Sequence, residues 1–137
     1  MYERGFQLEI VTPERVVSKD EATSVSAPGV KGGFQVLHNH APLLSLLEIG
    51  AVKVKDKQGK DTVYATSGGF VEVRDNSVVV LVESAEVAGE IDLNRAKSAE
   101  DRAKERLHSK DPSIDNIRAE AALMRAVNRQ RIAKTNE

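Results

Sequence analysis

The chain contains no cysteine and no tryptophan. The lack of cysteine excludes disulfides, thiolate catalysis, and zinc or iron–sulfur sites held by sulfur. Aromatic residues are scarce altogether, three Phe and two Tyr among 137 residues. The core must therefore be assembled from Val, Leu, Ile and Ala, which bury less area per residue than aromatic rings. Contacts with a partner are the expected source of further stability. No apolar run approaches the roughly 20 residues that a membrane span needs, and the opening MYERGFQLEIV lacks the apolar stretch of a signal peptide. Both absences lead to the expectation of a soluble, intracellular protein that meets a membrane only through a partner.

Catalytic chemistry is equally thin. There are three histidines. His38 and His40 form an H-x-H pair, but no acidic or sulfur partner stands at ligand spacing, so loop contacts are expected of them rather than a metal. Ser67 lacks the surroundings of a hydrolase elbow, and no pair of carboxylates is singled out as reactive. The expectation is a chain with no catalytic residues and no required cofactor.

Strong charge of one sign is also missing. The formal net charge is −1, so no nucleic-acid partner is implied. The distribution is uneven, however. Residues 1–89 carry nine Lys/Arg against twelve Asp/Glu, whereas residues 90–137 carry eleven against nine. Between Arg118 and Lys134 stand Arg118, Arg125, Arg129, Arg131 and Lys134 against one acid, Glu120. A basic terminal helix points to an acidic partner surface or an anionic ligand.

The residues that are present divide into two periods. Phe6, Leu8 and Ile10 alternate with polar neighbours, as do Val25 and Ala27, which is the mark of half-buried strands. Ala51, Val52 and Val54 lead into a charged turn at Asp56–Lys60. Val63 and Ala65, then Phe70, Val71 and Val73, form a pair of runs around Ser67-Gly68-Gly69, where two strands are expected to approach closely. Arg74-Asp75-Asn76-Ser77 is a tight-turn sequence. The β-branched run Val78–Val82 predicts a fully buried strand. Short strands at this spacing predict a β-sandwich or flattened barrel over residues 1–89.

Gly89 is the last glycine, and Pro112 is the only later proline. Leu93, Ala96, Ala99, Ala103 and Leu107 fall three and four apart, a helix with a narrow small-residue stripe and Asp92 as its N-cap. After a break at Ser109–Pro112, Asp111 is expected to cap a second helix with Pro112 in its first turn. Its apolar positions read as Ile114, Ile117, Ala121, Met124 and Val127. So short a break makes residues 90–137 an antiparallel hairpin, and the whole chain α+β. No coiled-coil heptads are evident. Alanine offers one methyl, so the two helices are expected to be weakly held and mobile.

Several stretches resemble one family in order and spacing. Gln7–Pro13 resembles the first strand and "V-T-P" turn of the F-type ATP synthase epsilon subunit. Gly29–Gly33, Leu37, His40-Ala41-Pro42-Leu43 and Leu47–Gly50 resemble its "G … L-P-G-H-x-P-L … L-x-x-G" segment, although His38-Asn39 stands where the family usually has Pro-Gly and Gly33-Phe34 is a less usual local choice; both departures are expected to lie in a loop. Ser67–Val73 resembles "S-G-G-F-x-E-V", and Ile91–Ala96 resembles "I/L-D-x-x-R-A". The resemblance covers essentially the whole chain and implies a non-catalytic subunit of the central stalk. Its β-domain would bind the gamma subunit and the ring of c subunits. Its hairpin would fold down or extend along gamma, and the extended form would obstruct ATP hydrolysis by the head of alpha and beta subunits. It implies a peripheral position on the cytoplasmic face of the bacterial plasma membrane, with protons as the coupling ion by family default.

The resemblance further implies a regulatory ATP site at Glu86, Ile91, Asp92, Arg95, Ala96, Arg102, Arg125 and Arg129. Arg95 and Arg102 share one face of the first helix, and Arg125 and Arg129 share one face of the second. Four guanidiniums could converge on a phosphate chain. A second reading stays open, a solvated face of arginines bridged to acids such as Asp101 and Glu105. The basic run Arg118, Arg125, Arg129, Arg131 and Lys134 is the expected inhibitory contact. A free-standing ATP-sensing module is the alternative to a stalk subunit.

Overall fold

The computed structural model describes residues 4–135; the ends of the two predicted domains, residues 1–3 and 136–137, lie outside the described residues. Contacts divide the chain into two compact units, the first ending at Val87 and the second beginning at Ala88.

The first unit is built from seven strands: β1 (Phe6–Val11), β2 (Val16–Ala27), β3 (Phe34–Val36), β4 (Leu43–Asp56), β5 (Asp61–Arg74), β6 (Ser77–Val82) and β7 (Ala85–Val87). Six of them pair in the order β1-β6-β5-β4-β2-β3, β7 pairs with β5, and β1 pairs again with β2, which closes the sheet into a flattened barrel. Closure leaves fewer strand edges open to unwanted pairing. The β1–β6 pairing is parallel; β1–β2, β2–β4, β4–β5 and β5–β6 are antiparallel. The core is aliphatic, as the shortage of aromatics requires. Phe6, Leu8, Ile10, Val25, Val36, Val52, Val71, Val73, Val78 and Val80 are all buried.

Three details of the β unit depart from the sequence-based expectation. First, the two runs around Ser67-Gly68-Gly69 are a single fourteen-residue strand, β5. Gly68 and Gly69 have φ of 69° and 147°, so the chain bends through the glycines without leaving the sheet. The expected close approach is there: a Cβ on Gly69 would overlap the Leu81 carbonyl oxygen of β6. Second, β6 is half-buried. Val78, Val80 and Val82 point into the core while Val79 and Leu81 do not, because only one face of a barrel strand meets the interior. Third, Phe34 lies in β3 rather than in a loop.

The turns follow their residues. Asp75 and Asn76 have φ of 52° and 57°, the left-handed pair that a two-residue hairpin turn needs. Asn39 has φ of 60° and its N–H donates to Asn76 Oδ1 at 2.7 Å. Asparagine thus supplies at position 39 the left-handed backbone that the family's usual glycine would allow.

The second unit opens with a 3-10 turn at Ala88–Glu90 and contains α1 (Leu93–His108) and α2 (Asn116–Thr135), packed on each other. Asp92 caps α1 as expected, accepting from Arg95 N at 3.1 Å. The cap of α2 is Asp115, not Asp111. Its Oδ1 accepts from the N–H groups of Ile117 and Arg118 at 3.0 and 3.2 Å. Asp111 instead folds a separate turn, accepting from the Ser113 N–H and hydroxyl at 2.9 and 2.8 Å; those bonds lower its pKa.

The buried face of α2 also differs. Ile117, Met124 and Val127 are 80%, 57% and 47% exposed. The buried residues of α2 are Ala119, Ala126, Asn128, Ile132 and Ala133, and those of α1 are Ala96, Glu100 and Ala103; on each helix these alanines fall seven apart. A seven-residue seam of alanine therefore exists where no heptad was legible. Its small size lets the helices come close; Ile117, Met124 and Val127 are left outside, while Ile132 is buried.

Candidate functional site

The functional surface of the second unit is set by what borders the alanine seam. On α1, Arg95, Arg102 and Arg106 are seven and four apart and so share one flank. On α2, Arg118, Arg125 and Arg129 repeat the same spacing. The two flanks meet: Arg106 from α1 and Arg118 and Arg125 from α2 line one cavity of about 640 Å³ at the end of the hairpin nearest the connecting loop. The stripe on α1 runs about 16 Å at 1.5 Å per residue.

Among the described residues, Arg95, Arg102, Arg106, Arg118 and Arg125 form no ion pair. The salt-bridged face belongs to the other flank of α1, where Lys97 and Lys104 meet Glu100 and Lys97 also meets Asp101. The acids near Arg102 are thus engaged elsewhere or solvated.

Glu100 was not singled out by the sequence. It is buried at 9% exposure in the middle of the seam. Its carboxylate accepts from Gln130 Nε2 at 2.7 Å and lies 2.8 Å from Lys104 Nζ. The Lys104 hydrogen bond, then that of Gln130, lowers its pKa to about 2, while Glu100 raises that of Lys104. This polar clasp joins α1 to α2. Arg106 was missed as well; its four-residue spacing from Arg102 was the available signal.

The remaining predicted residues fall as follows. Ile91 is half-buried just after the 3-10 turn, and its N–H donates to Ala88 O at 3.3 Å. Asp92 is exposed and engaged as a cap. Ala96 is buried in the seam. Glu86 is half-buried on β7. Arg129 is half-buried. Arg131 and Lys134 do not join the flank of Arg118, Arg125 and Arg129. Arg131 lies about 200° round the helix from Arg129 and donates to Asn128 Oδ1 at 2.8 Å. The basic run is therefore two surfaces, not one.

The β unit carries an apolar surface that the sequence reading left unassigned. Leu44 and Leu46 of β4 are 69% and 63% exposed. Leu46 is paired across to Phe70 of β5, and Phe70 to Leu81 of β6. Phe70, Leu81, Val11 and Pro13 border a shallow cavity of about 420 Å³. His38 Nδ1 bonds the Gly5 carbonyl at 2.9 Å and His40 Nδ1 the Ala41 carbonyl at 2.7 Å, and the described residues hold no cluster of metal-ligating side chains.

The chain is similar to known proteins along nearly all its length. Residues 5–88 match the beta-sandwich domain of the ATP synthase delta/epsilon chain, and residues 90–134 match its long alpha-helix domain. Similar relatives include the ATP synthase epsilon chain of Syntrophomonas wolfei, 45% identical over 98% of both chains. Others are those of Nitratidesulfovibrio vulgaris, 48% identical over 95% of this chain and 96% of the relative, and Moorella thermoacetica, 46% identical over 94% and 96%. A chain in the Euglena gracilis mitochondrial ATP synthase structure of OSCP, F1 and c-ring shares the fold, with a TM-score of 0.77 and 24% identity over 90% of this chain and 78% of that one. One in the Tetrahymena thermophila mitochondrial ATP synthase central stalk and c-ring structure has a TM-score of 0.58 and 13% identity over 99% and 98%. The relatives are chains of ATP synthase, not enzymes by themselves, and this chain belongs to the ATP synthase epsilon-chain family.

Proposed function

We propose that the chain is a non-catalytic, regulatory subunit of the ATP synthase central stalk, on the cytoplasmic face of the bacterial plasma membrane. Its β unit couples the gamma subunit to the c ring of a proton-translocating complex, and its hairpin restrains ATP hydrolysis. The observation that carries this reading is the alanine seam bordered by Arg95, Arg102, Arg106, Arg118 and Arg125, none of them in an ion pair among the described residues. Two helices held mainly by alanine methyl groups, with Ile132 and the Glu100 clasp beside them, can separate at modest cost, and the guanidiniums of Arg95, Arg102, Arg106, Arg118 and Arg125 can meet an acidic surface of the catalytic head. Such a contact forms quickly and weakens with salt. The exposed Leu44, Leu46 and Phe70 give the β unit an apolar seat for a stalk partner. Reconstituting the complex with a chain lacking residues 90–137 is the test. Faster hydrolysis than with the full chain is expected, and an unchanged rate would sink the proposal.

ATP is the proposed regulatory ligand, held by Arg95, Arg102, Arg125 and Arg129 with Glu86, Ile91, Asp92 and Ala96 about the base. Bound nucleotide would favour the closed hairpin by mass action, so falling ATP would release the inhibitory form. Calorimetric titration with ATP decides this: saturable heat is expected, and none at millimolar nucleotide removes the claim. The arginine stripes also suit a second reading, a free-standing ATP-sensing module. Purification of the chain without gamma and the catalytic head would favour it.

A further inference from the structure

We propose that Asn76 is a positioning residue for the partner seat of the β unit: with His38, Asn39 and Gly5 it holds the loop at 37–42 so that β4 presents Leu44 and Leu46 in a fixed place. The proposal rests on reading that apolar surface as the seat of a stalk partner. Within the loop itself the backbone bond is a long one, His40 N–H to Leu37 O at 3.3 Å. Its shorter bonds reach segments 33 and 37 residues away. Asn76 stands at their centre and uses both ends of its amide. Its Oδ1 accepts from the Asn39 N–H at 2.7 Å, and its Nδ2 donates to the Gly5 carbonyl at 3.1 Å. Its backbone carbonyl accepts from the Gln7 N–H at 3.3 Å. The Gly5 carbonyl takes a second bond, from His38 Nδ1–H at 2.9 Å, so both of its lone pairs are used. Gly5 is a firm anchor, because a Cβ there would lie 2.8 Å from the Ala22 carbonyl oxygen of β2. β1 pairs with β2 and β6 and not with β4, so these bonds link the start of β1 to the loop before β4 where no ladder does.

The register puts this hub beside the seat. Leu43 pairs with Val73, and Arg74 with Ser77, so the exit of the loop and the turn at 75–76 lie at one end of the barrel. The exposed Leu44 follows at once, and Leu46 two residues on. The barrel itself is closed by its ladders and filled by its valines without the hub. A loose loop, however, would have to be ordered at each encounter with a partner, and that lost freedom is subtracted from affinity. His38-Asn39 stands where the family usually has Pro-Gly. Proline holds its own φ and histidine does not, so in this chain hydrogen bonds to Asn76 and Gly5 supply the stiffness of the ring.

The test measures association of the full-length chain with the gamma subunit of its own complex. Asn76→Gly removes the amide and keeps a residue suited to a φ of 57°. It should slow association and weaken affinity by about tenfold, with the melting temperature nearly unchanged. A loss of stability alone would leave the association rate of folded molecules as it was. Adding His38→Pro and Asn39→Gly to Asn76→Gly should restore affinity to within about threefold of the unaltered chain, because the ring stiffens the loop without the amide. Unchanged affinity in Asn76→Gly overturns the proposal, and so does a failed rescue, which would put Asn76 itself in the contact. Leu44→Glu with Leu46→Glu keeps the two readings apart. Retained binding in that variant removes the seat and this proposal with it; lost binding there, with Asn76→Gly unaffected, removes the hub alone. Should Asn76→Gly not fold, hydrogen exchange in the unaltered protein takes its place. Slow exchange of the exposed Asn39 N–H supports the hub, and exchange at the rate of an open chain overturns it.

Discussion

At Glu100 a single carboxylate ties two helices together, and its protonation state sets how well. Its pKa is lowered from an ordinary 4.5 to about 2 by the Lys104 and Gln130 hydrogen bonds, with Lys97 adding attraction. A depressed pKa means that the charged form is favoured by folding. The contribution is complete above 4.5 and is lost as pH falls towards 2. We therefore expect the helical signal to lose thermal stability progressively over that interval, and Glu100→Gln to flatten the dependence; circular dichroism melts across pH check it. A second residue-scale prediction concerns Gly69. Its φ of 147° and its contact with the Leu81 carbonyl leave no room for a side chain. Gly69→Ala should cost about 3 kcal/mol, read as a lowered melting temperature of the β unit.

Among the elements, the contrast is between strands held by valine and helices held by alanine. A buried Val is worth about 1.5–3 kcal/mol and a methyl about 0.8 kcal/mol. The five seam alanines together therefore contribute about 4 kcal/mol, less than the valines of β5 and β6 alone. Amides of α1 and α2 should exchange with deuterium faster than those of Val78–Val82, and Ala126→Leu, which overfills the seam, should speed exchange in the helices while leaving the strands unchanged. Equal protection in helices and strands would contradict this picture. Ala96 and Ala103 of α1 were legible as a small-residue stripe, but the α2 half of the seam was not, because larger apolar residues compete for attention there. Ile117, Met124 and Val127 have the right spacing and lie on the wrong face, since only tertiary contact selects which stripe of a helix is covered. The start of α2 was misplaced for a related reason. Asp111-Pro112 and Asp115 are both plausible caps locally, and the longer connection is chosen by where α2 must lie against α1.

The molecule as a whole presents two different surfaces, one apolar and one cationic, each on its own unit. The apolar one lends itself to a direct check. Leu44→Glu with Leu46→Glu should leave the melting temperature nearly unchanged, because both side chains are already largely in water, yet abolish copurification with the gamma subunit. Retained copurification would place the stalk contact elsewhere on the β unit. Much of this organisation was readable beforehand. The change of period near residue 89, the hairpin turns at 56–60 and 74–77 and the cap at Asp92 depend on local backbone preferences, which act over a few residues. The arginine surface was half-readable: Arg95 with Arg102 and Arg125 with Arg129 follow from helical spacing, whereas joining Arg106 to Arg118 across the hairpin needs the two helices in place.

By itself the sequence determined that an aliphatic β unit precedes a basic helical hairpin whose alanines bury little area, without cysteine chemistry or a reactive pair. Composition and periodicity are properties of the chain read in order, and they decide which residues form strands and which form helices. Only the tertiary structure decided which face of α2 is buried, that Glu100 and Gln130 clasp the hairpin, that β1 closes the barrel against both β2 and β6, and that three arginines from two helices share one cavity. Each of these joins residues distant in sequence, and no local preference encodes such a meeting.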